Sequence, residues 1–272
     1  MEYQILRRGD AAYPPRLLSR MGQRAPAQLY YRGSLAVLSR FTLAVISADS
    51  ISGVAMMATN QLLFTIRDYE MNYIGGWHSV MEAEIFRLGL YRRHTTVTLF
   101  TAKGLLREDH DTFLETRFHP PLHEFPERKE YFRRAAAGEL PMISIASPLQ
   151  GKMIMRNVMM RNLVSCMLAD AVFVPHAAAG TKTYATVERV LAVGVPVFTT
   201  EHESNAELHL LGVQTHTRKS VGRYLESLGA RLPVAGETQA TVPAGMADSP
   251  RVSEPAQQWL LPPVKKGRRR AK

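Results

Sequence analysis

The sequence is poor in the residues that staple or anchor a chain. It has one cysteine, Cys166, in 272 residues. That excludes an internal disulfide framework and any multi-cysteine zinc site, and it fits a reducing cytosol. No apolar run reaches the roughly 18 residues of a membrane span. Even the methionine-rich stretch 140–174 is broken by Lys152, Arg156, Arg161 and Asp170. The opening MEYQILRRGD has no apolar signal-peptide core. A cytoplasmic protein with no membrane partner is the expectation.

Several chemical signatures are also missing. There is no GxGxxG fingerprint, no GxxxxGK[ST] loop, no GxSxG elbow and no HExxH pair. Nine histidines are present, but their spacing suits no metal. His119 and His123 flank two prolines, and His202 is followed seven residues later by His209. Cys166 falls inside an apolar helical stretch, where a thiol is inert. The expectation is therefore no enzyme, no cofactor and no metal.

Positive charge is what the chain does have. Its formal net charge is +10, which favours polyanionic partners. Part of the excess is local, because the last eight residues, KKGRRRAK, hold six basic groups and no acid. Residues 231–272 are rich in Pro, Ala, Gly, Gln and charge, and read as a disordered basic tail. Residues 1–40 read as an irregular lead-in packed on the core.

Between these ends short apolar runs alternate with helical stretches. Strands are expected at 41–47, 71–76, 95–101, 141–146, 171–175 and, as the last, 195–200. Helices are expected at 53–66, 80–90, 126–138, 152–168, 182–193, 206–211 and 218–228, with 102–124 as loop. This pattern predicts an α/β domain over 41–230: an extended Rossmann-like, doubly wound, mostly parallel sheet. The strands are apolar throughout, as expected when helices cover both faces.

Candidate binding groups cluster at the ends of these strands, where ligands of open α/β sheets gather. Gly180 and Thr181 lie between a strand and a helix. They read either as a phosphate contact through backbone N–H and hydroxyl, or as a turn and N-cap. Gly75 and Gly76 follow another strand and read either as a close backbone approach to a ligand or as a tight turn. Lys152, Arg156 and Arg161 fall on one expected helix. They form either a phosphate-contacting side, with Asn162 reaching base edges, or a solvated face. Tyr30, Tyr31 and Trp77 are either stacking faces or core. His176 reads as a hydrogen-bonded loop residue.

With these residues laid out, the chain resembles the DprA/Smf family, the DNA-processing proteins of natural transformation, over about residues 13–213. Tyr13-Pro14, Pro26 and LYYRG (29–33) match the family's opening segment, AVIS (44–47) its first strand, and Ser52-Gly53 the SxxG that follows. GGWHSVMEAEIFRLGL (75–90) aligns without gaps with SGLAxGIDxxAHxxAL. RNLVSCMLADAVFVPHA (161–177) aligns with RNRIIAxLSxAvvVvEA. Gly180-Thr181 fits the SG[ST] loop.

The resemblance implies single-stranded DNA binding without catalysis, loading of a RecA-type recombinase, and a homodimer. By position it makes Arg161, Asn162, Gly76, Gly180 and Thr181 the DNA or nucleotide-pocket residues. The departures are Asp49 for the arginine of GSR, Val80 for the glycine of GID with Glu82 as its acid, Phe86 for a histidine, Leu163 for the second arginine of RNR, and His176 for a glutamate. A basic tail stands where many members carry a winged helix. The alternatives are a degenerate Rossmann-like protein-interaction module and a sensor of a nucleotide-derived ligand.

Overall fold

A computed structural model describes residues 2–116 and 127–234. The expected basic tail beyond 234, and His119 and His123 within the expected loop, lie outside the described residues.

The centre of the molecule is a run of parallel strands. Three of them, β3 (Thr42–Val45), β4 (Met71–Gly75) and β5 (Thr95–Thr101), alternate with helices α2 (Gly53–Ile66) and α3 (Val80–Tyr91). After α4 (His110–Glu115) and α5 (Glu127–Ala136) comes β6 (Met142–Ser144). Helix α6 (Met155–Leu168) then returns the chain to the other side of β3, where β7 (Ala171–Phe173), α7 (Lys182–Leu191) and β8 (Val197–Thr200) follow. The last elements are α8 (Ala206–Leu210), β9 (Gln214–His216) and α9 (Val221–Ser227).

The first forty residues carry more order than an irregular lead-in. Strand β1 (Gln4–Arg7) and strand β2 (Gln28–Arg32) flank α1 (Pro15–Met21). Both strands extend the sheet antiparallel, β1 on β2 and β2 on β6. The full order is β1-β2-β6-β5-β4-β3-β7-β8-β9. From β6 to β9 every pairing is parallel.

Strand residues alternate between two cores. Leu43 and Val45 of β3 face the layer that holds Leu62, Met81, Tyr131 and Leu225. Ala44 and Ile46 face the layer that holds Leu17, Val164, Val187 and Leu208. Helices α2, α3, α5 and α9 therefore cover one face, and α1, α6, α7 and α8 the other. This is the expected extended Rossmann-like, doubly wound sheet, with strands buried on both sides. The sequence growth reverses at β3, whose neighbours are β4 and β7, so a crevice opens beyond their carboxyl ends.

Three element expectations change. The loop 102–124 contains α4, started by a capping box between Asp109 and Thr112, a polar signal easily read as loop. The sheet does not end at β8, because β9 pairs with it parallel. Helix α6 begins at Met155, so Lys152 precedes it.

A polar knot fixes the loops beyond β7 and β8. The fully buried Asn205 donates from Nδ2 to Pro175 O (3.0 Å), Thr199 Oγ1 (2.7 Å) and Thr200 Oγ1 (3.0 Å). His176 Nδ1 donates to its Oδ1 at 3.0 Å. Asn205→Ala strands these groups in a dry site, and each lost bond costs about 1 kcal/mol. Urea unfolding should show a loss of about 2–4 kcal/mol. A loss within about 0.5 kcal/mol would mean that the knot is dispensable.

Candidate functional site: a cleft at the switch point

The crevice beyond β3, β4 and β7 is a cleft of about 260 Å³. Its walls come from the loop after β3 (Ser47, Asp49), the start of α3 (His78, Glu82), one flank of α6 (Met155, Val158, Met159, Arg161, Asn162) and the first two turns of α7 (Lys182, Thr183, Thr186).

Arg161 is the centre of this site, although it is only 2% exposed. Its guanidinium occupies the space where a side chain at Gly76 would stand. A Cβ added at Gly76 would sit 2.1 Å from Arg161 Cζ, so any larger residue there would have to displace the guanidinium. Arg161 Nε and Nη2 donate to Asn162 Oδ1 at 3.0 and 2.7 Å, which fixes both side chains in one arrangement.

Glu82 holds the two strand-end loops together. Its Oε1 accepts from Ser47 N (3.0 Å) and its Oε2 from His78 N (2.8 Å). The side chain of Ser79 caps α3 by accepting from Glu82 N at 3.2 Å. Glu82 is 5% exposed, and burial raises its carboxyl above the usual range; Arg161 and the three backbone bonds pull the other way without prevailing. Opposite, Ala48 N donates to His176 O at 2.8 Å and joins the loops after β3 and β7.

The turn after β4 is strained. Trp77 has φ 59°, the left-handed region that bulky residues avoid. Its ring is fully buried against Phe86, and its Nε1 donates to Thr98 O at 3.1 Å. The packing of the indole holds a backbone bend that lays Gly76 under Arg161. Trp77 is thus core, not a stacking face. Tyr30 and Tyr31 are half-buried in β2, and Tyr30 meets Tyr3 edge-on.

The candidate residues divide. Arg161 and Asn162 line the cleft, and Gly76 supports Arg161 from beneath. Gly75 packs on the protein itself, since a Cβ there would meet Val45 O at 3.0 Å. Gly180 takes φ 76° in the turn, and the Thr181 hydroxyl accepts from Tyr184 N (3.2 Å) and donates to Ala178 O (2.6 Å). These two set the cap of α7, while Lys182 and Thr183 just beyond them reach the cleft. Lys152 is exposed in the preceding loop and does not line it. Arg156 is on another flank of α6, about 140° around the helix from Arg161, and lines a different cavity. The three cations therefore do not form one side.

Ser47, Asp49, Lys182 and Thr186 were not legible as site residues. A signal existed for Ser47 and Asp49, which follow the strand at which the order reverses. Ser47 is 6% exposed, and its Oγ has no hydrogen-bond partner among the described residues. Among those residues no three His, Cys, Asp or Glu side chains come together as a metal site, and no helix is long and apolar enough to cross a membrane. Burial pushes the Cys166 thiol up to about 12.

No protein-family model matches the chain, and no curated protein matches its sequence. Its likeness to known proteins is one of three-dimensional structure. The sheet order, the two helical layers and the switch-point cleft define a DprA-like Rossmann fold. The chain is similar to DNA processing protein A (DprA) from Streptococcus pneumoniae, with a TM-score of 0.64 and 16% identity over 83% of this chain and 74% of that one. It is similar also to DNA processing protein A from Helicobacter pylori, a protein with a described single-stranded DNA binding mode. There the TM-score is 0.61 at 14% identity, over 83% of this chain and 96% of that one. At such identities the likeness is one of fold.

Two tests follow from this geometry. Gly76→Ala should drive Arg161 out of its seat and lower stability by about 1–3 kcal/mol, the range for an overpacked site; unchanged unfolding would show that the guanidinium is free to move. Glu82 supplies a pH test. Because its folded-state pKa is raised, its contribution is fully present below about pH 4.5 and is lost as pH rises through the folded value. The Tm of Glu82→Gln should accordingly fall less than that of the wild type between about pH 4.5 and neutrality, whatever its absolute loss from the altered backbone bonds. Parallel Tm–pH curves would remove Glu82 as the titrating group.

Proposed function

We propose that this chain is a DprA-like, non-catalytic single-stranded DNA-binding protein that assists a RecA-type recombinase, acts in the cytoplasm and works as a homodimer. The observation that carries the DNA-binding reading is the pre-set Arg161–Asn162 pair in the switch-point cleft, with Lys182 across from it. The fold likeness supports the reading, and the sequence resemblance is what supports the recombinase and the dimer.

The physical logic is phosphate neutralisation by fixed cations. Arg161 loses little rotamer freedom on binding, because Gly76 and Asn162 already hold it. Lys182 is exposed at the amino end of α7, where backbone N–H groups also favour an anion. Ser47 Oγ supplies a further hydrogen-bonding atom. Each phosphate neutralised releases counterions, so affinity falls steeply with salt. Glu82 offsets part of this attraction when ionised, since it interacts electrostatically with Arg161. Asp49 also opposes it, from the exposed rim.

The test is anisotropy of a labelled oligo-dT over a salt series. Arg161→Ala should lose most of the affinity. Lys182→Ala should lose several-fold and lower the log–log salt slope by about 0.7. Asp49→Asn should bind more tightly at low salt, by about 3-fold or more. Binding insensitive to all three substitutions would sink the reading. A thermal shift with mononucleotides and no oligo binding would assign the cleft to a nucleotide-derived ligand instead.

A further inference from the structure

Helix α6 has a second lined flank. Arg156, Met160, Leu163 and Met167 recur at helical spacing and fall within about 60° of one another around the axis, on the side away from the cleft. This stripe floors two cavities that share Arg24 and Met160. One, of about 410 Å³, lies between α1, α6 and the end of α7. The other, of about 370 Å³, lies between the amino end of α6, the segment before β2, and Tyr30. Together they follow α6 from Ile154 to Met167, about 20 Å at ~1.5 Å per residue.

The charge in this groove has one sign. Arg20, Arg24 and Arg189 rim the first cavity, and Arg24 and Arg156 the second. No carboxylate lines either cavity among the described residues. Arg20 is committed in part, because its Nη1 donates to Met167 O and Ala169 O at the end of α6 (2.7 and 2.6 Å). Arg24, Arg156 and Arg189 are exposed, and none of their side chains has a hydrogen bond or ion pair among the described residues. An undischarged row of guanidiniums over a soft methionine and leucine floor suits a flexible polyanion with flat apolar faces. It also begins where the cleft ends. The amino end of α6 separates the two, with Met153 and Met155 on the cleft side and Ile154 and Arg156 on the groove side.

We propose that the groove lined by Arg24, Arg156 and Arg189 is a second nucleic-acid contact, which takes the continuation of a single strand held in the cleft as it crosses the start of α6. The proposal rests on the DNA-binding reading of the cleft and extends it: the cleft anchors a few nucleotides, and the groove adds affinity only to a strand long enough to cross. Phosphates meet the three arginines, and bases lie on the Met160–Leu163–Met167 floor.

The experiment compares two oligo-dT probes, of about 5 and about 15 nucleotides, within the range of single-strand site sizes. The full chain is used, as wild type, as Arg161→Ala, and as the triple variant Arg24→Ala/Arg156→Ala/Arg189→Ala. These three side chains are exposed, and circular dichroism confirms that the variant folds. The wild type should bind the longer probe at least about 10-fold more tightly than the shorter at low salt. The triple variant should lose that gain, lower the salt slope for the longer probe by about 2, and keep its affinity for the shorter within about 2-fold.

A wild type with no gain for the longer probe overturns the groove and leaves the cleft. A gain that survives in the triple variant also overturns it, since charge elsewhere would then account for the length dependence. If the wild type ignores the shorter probe and only the triple substitution removes binding of the longer one, the cleft reading fails while the groove stands. If neither oligo responds to the triple substitution but binding of labelled poly-glutamate is lost, the groove is a docking surface for an acidic protein segment, and the nucleic-acid assignment is overturned.

Discussion

A guanidinium buried against a bare backbone sets the arrangement of this molecule's cleft. Arg161 is 2% exposed, and a cation in that position is tolerable only with oriented partners around it. Asn162 supplies hydrogen-bond acceptance, Glu82 supplies opposite charge, and Gly76 supplies room. Each partner is fixed in turn: Glu82 by the N–H groups of Ser47 and His78, Gly76 by the strained turn that the buried Trp77 maintains. Two strand ends and two helices are thereby held in register around one cation.

The same helix divides the surface. One flank of α6 carries Arg161 and Asn162 into the switch-point cleft. The opposite flank, with Met160, Leu163 and Met167, lies under Arg20 of α1 and Arg189 of α7. A 3.6-residue period explains why Arg156 and Arg161, five residues apart, serve different cavities. It also explains why basic residues close in sequence cannot be counted as one patch. The antiparallel strands β1 and β2 contribute to this geometry, because they carry α1 with its Arg20, and Arg24 in the turn after it, to the outer side of α6.

Much of the fold was legible from the sequence. Helix α2 and strand β5 fall at the expected residues, because long apolar strands and a Ser-capped helix are strong local signals. The elements not foreseen are short and half-buried. β1 exposes three of its four residues, β9 has three residues, and α4 has six, opened by polar caps. Their structure comes from the neighbour on which they pair or pack, and a local window does not contain that neighbour.

The candidate site divides along the same line. The order of motifs determined the family resemblance, the doubly wound sheet and the pairing of Arg161 with Asn162, since these follow from spacing along the chain. Only the tertiary structure decided that Gly76 seats Arg161 rather than a ligand, that Thr181 is spent on a helix cap, that Lys152 and Arg156 stand apart from the cleft, and that Ser47, Asp49 and Lys182 belong to it. The physical reason is distance in the chain. Arg161 lies 85 residues from Gly76 and 79 from Glu82, and whether such side chains meet is fixed by how sheet and helices pack, not by any periodicity that a sequence displays.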